Sequence, residues 1–313
     1  VSPPDVARSH AAEPAREVLR RLRWPLTHRL GVHTAGDERS VFVGPGIEYA
    51  DVREYQPAED ARLIDWNLTA RSDRPYVRLS HQERGLDVWL IVDASRSLDW
   101  GTSRVLKRDA ARELVDLMTL VLARHGGRVG AVVFDARWRR VFALTGGRQG
   151  RLRLLSRLDA ETAAPSAPGR TDLATTLRRA GRIIPRPSLV IVISDFLVDS
   201  GWQVPMKALA LRHDVVAARI TDPRESEIPS IGVVTFEDPE TGRQVEVDTT
   251  NRRLRERYRS AAAEQRSRLL ADFRHARAQV VEISTERPVV NQLISYLRAR
   301  QRMRGGLGTR RAI

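Results

Sequence analysis

The amino-acid sequence predicts an α/β protein with a doubly wound, mostly parallel sheet, preceded by a small β-rich or irregular module. Two apolar runs of strand length, Leu86–Val92 and Ser188–Ser194, lack the alternation of a half-exposed strand, as expected of strands buried on both faces. Amphipathic helical segments alternate with such strands through most of the 313 residues, an order that implies parallel pairing. Both apolar runs also close on an aspartate, Asp93 and Asp195, which gives the fold prediction a functional side.

Taken in order, residues 1–29 read as a helical or flexible segment, charged and Pro/Ala-containing, with helical spacing at Val18, Leu19 and Leu22. Residues 30–85 are a separate module in which glycines, prolines, aromatics and charges crowd together without helical period. The main domain spans 86–302. Its first strand ends in the polar run Asp93-Ala-Ser-Arg-Ser97, and 102–124 follow as a helix with Leu106, Ala110, Leu114, Leu117 and Val121 on one face. Gly126-Gly127 stops that helix, Val129–Phe134 is the next strand, and Arg140–Leu144 pairs beside it. Residues 149–158 are helical and 160–170 a Pro/Ala/Gly loop; a further helix begins after Thr171-Asp172, either of which can cap it. Beyond Ser188–Ser194 come a helix at 202–212 and a strand at Asp214–Ile220. A hairpin follows, its arms Ile231–Phe236 and Arg243–Val247 flanking Pro239-Glu-Thr-Gly242. A long helix at 251–277, a strand at 279–283 and a last helix at 288–302 complete the domain, and 303–313 form a flexible basic tail.

Composition narrows the functional classes. There is no cysteine, which excludes disulfides, thiolate metal sites and cysteine nucleophiles. No stretch approaches the roughly eighteen apolar residues of a membrane span, and the early charges Asp5, Arg8, Glu13 and Arg16 do not read as a signal peptide, so a cytoplasmic protein is expected. The formal charge is +14, and Asn251–Ile313 holds sixteen Arg against five Asp or Glu. Such a segment suits a nucleic acid or an acidic protein surface, although the plainer reading is the solvated face of a helix.

The chemistry is expected where strands of an open α/β sheet end at their carboxyl termini. Asp93-x-Ser95-x-Ser97 sets one carboxylate and two hydroxyls on one loop, Thr171 precedes a helix, and Asp195 closes the second apolar strand. Hydroxyls and carboxylates are hard oxygen ligands, and Mg²⁺ takes about six of them with several waters retained. Few protein charges on three loops leave a coordination position for a carboxylate from a partner.

These five residues, in this order, resemble the metal-ion-dependent adhesion site of the Rossmann-like von Willebrand factor A domain. The resemblance implies that Asp93, Ser95, Ser97, Thr171 and Asp195 bind Mg²⁺ or Mn²⁺. Upstream, Gly44-Pro-Gly46, Arg53-Glu-Tyr55-Gln-Pro57, Arg62-Leu-Ile-Asp65-Trp66, Thr69-Ala-Arg71 and Arg74-Pro-Tyr76-Val-Arg78 resemble the signature of the bacterial family called domain of unknown function 58. One departure is Ala58-Glu59-Asp60, where that family usually has Gly-Asp-Asp. Arg53, Tyr55, Arg62, Asp65, Trp66 and Arg71 are expected to form a paired structural network or, alternatively, a docking face. The resemblance further implies a non-enzymatic adaptor that works with a MoxR-type AAA+ ATPase on an unknown client protein.

Two other classes stand beside this one: a nucleic-acid binder using the C-terminal arginines, and a metal-dependent phosphoester hydrolase using Asp93 and Asp195. Gly146-Gly-Arg-Gln-Gly150 lacks the spacing and lysine of a phosphate-binding loop, no Gly-x-Ser-x-Gly elbow occurs, and the seven histidines are dispersed.

Overall fold

The computed structural model describes residues 51–55, 64, 66–71, 74–79, 86–122, 127–167, 169–198, 200–237 and 244–308. They fall into two compact units that divide after Gly85. In the upstream unit β1 (Asp51–Glu54) pairs antiparallel with β2 (Tyr76–Leu79), and a short helix, Trp66–Thr69, lies between them in the chain. Arg74 pairs with Glu54 at 3.0 Å, and the Thr69 hydroxyl accepts the Tyr76 N–H. Of the expected network, Arg53 sits on β1 opposite Val77, and Tyr55 is half-buried, its N–H donating to the Pro75 carbonyl. Trp66 and Arg71 are exposed. Arg62, Asp65, the Ala58-Glu59 turn, the 1–29 segment and residues 309–313 lie outside the described residues.

The second unit is built on β3 (Asp87–Asp93), β4 (Arg128–Phe134), β5 (Trp138–Gly146), β6 (Leu189–Ser194), β7 (Asp214–Thr221), a separate ribbon of β8 (Val233–Glu237) and β9 (Gln244–Asp248), and β10 (Gln279–Ser284). The six-stranded sheet runs β10-β7-β6-β3-β4-β5. Every pairing in it is parallel except that of the edge strand β5. This is the doubly wound α/β architecture the sequence predicts.

Period-two alternation sorts the strand side chains into two layers. Val88, Leu90, Val92, Leu189, Ile191 and Ile193 face one core with the helices Lys107–Leu122 and Val289–Gly308. Trp89, Ile91, Val190 and Val192 face the other, which is completed by the helices Leu173–Ile183 and Gln203–Ala210 and by Phe273 of the helix Arg252–His275. Burial on both faces explains the unbroken apolar text of β3 and β6.

Of the boundaries that differ from the sequence reading, three differ by several residues. The helix expected at 102–124 starts at Lys107, because Thr102 is drawn off it: its N–H and hydroxyl both donate to Asp222, at 2.8 and 2.6 Å. The helix expected at 149–158 spans Gly147–Ala163, into the segment read as loop, with Leu154 and Leu158 on the core. The last helix, expected to stop at 302, continues to Gly308, into the segment read as a tail.

Candidate functional site

The winding of the sheet reverses at β3. From it the chain proceeds outward to β4 and β5 on one side, and β6, β7 and β10 fill the other. A crevice forms where neighbouring strands send their connections in opposite directions, and here those neighbours are β3 and β6. Their carboxyl ends carry Asp93 and the Ser194-Asp195 pair, all buried.

Asp93 is fixed on both oxygens. Oδ1 accepts the Ser95 N–H at 2.9 Å, and Oδ2 accepts the Ser194 hydroxyl at 2.6 Å, a bond that joins the two strands. The loop then folds into a 3-10 turn, Arg96–Asp99, which brings the Ser95 and Ser97 hydroxyls to 3.0 Å from each other. Burial, and secondarily the charge of Asp195, raise the Asp93 pKa to about 7, although bonds from Ser194 and Ser95 oppose the shift. Two carboxylates held close together out of water make it costly to charge both.

Thr171 is also buried. Its loop turns at Gly169, whose φ of +116° suits glycine, and is tied to the strand ends by the Ser166 hydroxyl on the Ala94 carbonyl and the Ala167 N–H on Asp135. Asp172 caps the following helix by accepting the Thr175 N–H, as one of the two candidates for that role. Asp99 is an exposed loop carboxylate paired with Arg108.

Asp195 is held from two sides. Its Oδ1 accepts the Leu197 N–H at 3.0 Å, and its Oδ2 accepts from the Lys107 ammonium at 2.7 Å. The next residue, Phe196, adopts φ +58°, uncommon for a bulky side chain, and costs roughly 1 kcal/mol or more. The Ser194 hydroxyl accepts its N–H, and its ring meets Phe273 edge-on at 4.8 Å and Trp202 at 5.7 Å. That aromatic cluster holds the strained turn from beneath.

Sequence reasoning missed Lys107, Glu225, Ser194 and Asp222. Lys107 is 1% exposed, donates to Asp195 and to Glu225 at 2.7 Å each, and lies under the Trp100 ring. Burial alone would lower its pKa; the two carboxylates outweigh burial and raise it, so the ammonium stays charged. Burial, and less strongly the Asp195 charge, hold Glu225 above the ordinary carboxylate range, although the Lys107 ammonium opposes the shift. The turn Pro223–Glu225 is set by Asp222, which accepts from Thr102, Thr285 and the Arg224 N–H. One signal was available: Lys107 lies in helical register with the apolar stripe Ala110, Leu114, Leu117 and Val121, where an uncompensated charge does not belong.

Chemically the site offers carboxylate and hydroxyl oxygens with no nitrogen or sulfur ligand. That donor set, with its excess of negative charge, fits Mg²⁺ or Mn²⁺ held by Asp93, Ser95, Ser97, Thr171 and Asp195. Among the described residues no three His, Asp or Glu side chains cluster as a metal site, so hydroxyls and water would complete the shell.

The chain is 34% identical over 306 residues to an uncharacterised protein of Mycobacterium tuberculosis (strain H37Rv), covering 96% of this chain and 95% of the relative. An uncharacterised protein of Mycobacterium avium is 35% identical over 133 residues, 42% of this chain and 78% of that one. Among solved structures, the conserved hypothetical protein BatB of Bacteroides thetaiotaomicron is similar at 15% identity and TM-score 0.44, over 69% of this chain and 98% of that one. The VWA domain of SpRpn10 is similar at 11% identity and TM-score 0.37, over 67% and 93%. Residues 51–268 match the family described as protein of unknown function DUF58, and the chain belongs to that family.

Proposed function

We propose that this protein is a non-enzymatic interaction module whose site at the ends of β3 and β6 docks a partner through a divalent cation. The observation that carries the reading is the convergence of the Ser95 and Ser97 hydroxyls beside Asp93, a buried carboxylate whose pKa burial and the Asp195 charge raise to about 7. Asp93, Ser95, Ser97, Thr171 and Asp195 are the proposed holders of Mg²⁺ or Mn²⁺. The ion supplies a Lewis-acidic point to which an acidic side chain of the partner binds. The protein's own residues orient the hydroxyls, through Asp93 on the Ser95 N–H, and keep bulk water away through Phe196 and Leu98, both buried. A MoxR-type AAA+ ATPase is the proposed partner, on the strength of the family resemblance, in assembly or activation of a further client protein in the cytoplasm.

Titration calorimetry with Mg²⁺ and Mn²⁺ tests the site. Binding by the wild-type chain that is lost in Asp93→Ala supports it; equal heats from both chains overturn it. Phosphoester turnover that depends on Asp93 would replace docking with hydrolysis.

A further inference from the structure

We propose that Lys107 is a built-in counter-cation that holds down the metal affinity of this site, and that Glu225 tunes it by drawing part of that charge away. The inference rests on the cation-dependent reading above. A cation-binding crevice is an unexpected place for a buried ammonium, since the two positive charges repel one another. Here the ammonium is fully buried, contacts Asp195 directly at 2.7 Å, and is roofed by Trp100, so solvent screens it little. Lys107 is the first residue of its helix, its N–H donates to the Trp100 carbonyl, and its ammonium is held by two carboxylates at once.

The second contact, to Glu225 at 2.7 Å, comes from a carboxylate with side-chain exposure of 12%, on a turn pinned by Asp222. Lys107, Asp195 and Glu225 together carry one net negative charge. That local charge should set cation affinity more than the shape of the site does. It would leave the cation weakly bound until a partner's carboxylate arrives, which makes occupancy depend on docking.

The test is Mn²⁺ binding, followed by the loss of the free-ion paramagnetic resonance signal, in the wild-type chain, three variants at Lys107 and Glu225, and Asp93→Ala. Lys107→Met doubles the local negative charge and should bind about tenfold tighter or more. Glu225→Gln, whose amide oxygen still accepts from Lys107, brings the charge to zero and should bind about tenfold weaker. The double variant restores the wild-type charge and should restore wild-type affinity. A purely structural role for Lys107 predicts the opposite sign, since a loosened site binds less. If Lys107→Met does not fold, Glu225→Gln still carries the comparison, and unchanged or tighter binding by that variant overturns the proposal. Wild-type binding that needs Asp93 but shows no such order overturns the role of Lys107 alone. Binding indifferent to Asp93→Ala overturns the site, and this inference with it.

Discussion

Replacing Asp93 with Asn should stabilise the metal-free protein while abolishing the function proposed for it. The side chain is 3% exposed and its pKa is raised from 3.8 to about 7. Between those values the folded chain retains a proton that the unfolded chain has released. Stability therefore falls as pH rises through this window, and the penalty is complete above about 7. At about 1.4 kcal/mol per pH unit the ceiling is about 4 kcal/mol, and relaxation around the ionised pair makes about 2 kcal/mol the expected gain at pH 8. Asn keeps the shape and the bonds: its carbonyl accepts the Ser95 N–H, and its amide can donate to the Ser194 hydroxyl oxygen, which also takes the Phe196 N–H. Urea unfolding in chelator at pH 8 should show a higher midpoint for Asp93→Asn, and the difference should close near pH 4. Added Mg²⁺ should raise only the wild-type midpoint. A variant less stable than wild type at pH 8, or an offset constant with pH, would refute the argument that this carboxylate is stored at a cost.

Other changes have equally definite signs. Phe273→Ala removes the fully buried ring between Phe196 and Trp202 and should cost about 3–5 kcal/mol in urea unfolding, with weaker Mn²⁺ binding as the turn after Asp195 loosens. Asp222 is buried, which would raise its pKa, but hydrogen bonds from Thr102, Thr285 and the Arg224 N–H outweigh burial and lower it. Its contribution is present above the ordinary carboxylate pKa and lost as pH falls below it; Asp222→Ala should cost about 2–4 kcal/mol by leaving those donors unmet, measured as a lower thermal midpoint at pH 7. Burial, then the Arg212 charge, push buried His213 down to about 4, so it favours the fold above 6.5 and withdraws up to about 3 kcal/mol as pH falls toward 4. Its slope is opposite to that of Asp93 over much of the same window, and His213→Leu should therefore leave a protein whose stability rises on mild acidification.

The architecture was legible because burial on both faces writes itself into β3 and β6 as uninterrupted apolar text. Asp93 and Asp195 stood out because a charge directly after such text marks the strand end where ligands sit. What local sequence hides is pairing at a distance. Lys107 reaches Glu225 across 118 positions, and no spacing rule connects a helix start with a turn after β7. Ser194 was read only as the last residue of an apolar strand, whereas its hydroxyl is the bond between the two strand ends of the site. The helix start was misplaced for the same reason, since Asp222 claims Thr102 from 120 positions away. The upstream unit was expected to be β-rich or irregular, with its Arg, Tyr and Trp residues in a paired network or on a docking face; among the described residues it holds a two-stranded ribbon and an ion pair of Arg74 with Glu54.

The bond between Ser194 and Asp93 also has a kinetic meaning. Its two ends lie 101 positions apart, and β4, β5 and the helices Lys107–Leu122, Gly147–Ala163 and Leu173–Ile183 are made in between. Closing so long a loop is an entropic expense that contacts from both chain segments must first offset. The crevice thus exists only after β6 has zipped against β3 in register, late in folding. A ligand that waits for it cannot guide the chain to its fold; its stabilisation should appear in the rate at which the finished protein comes apart.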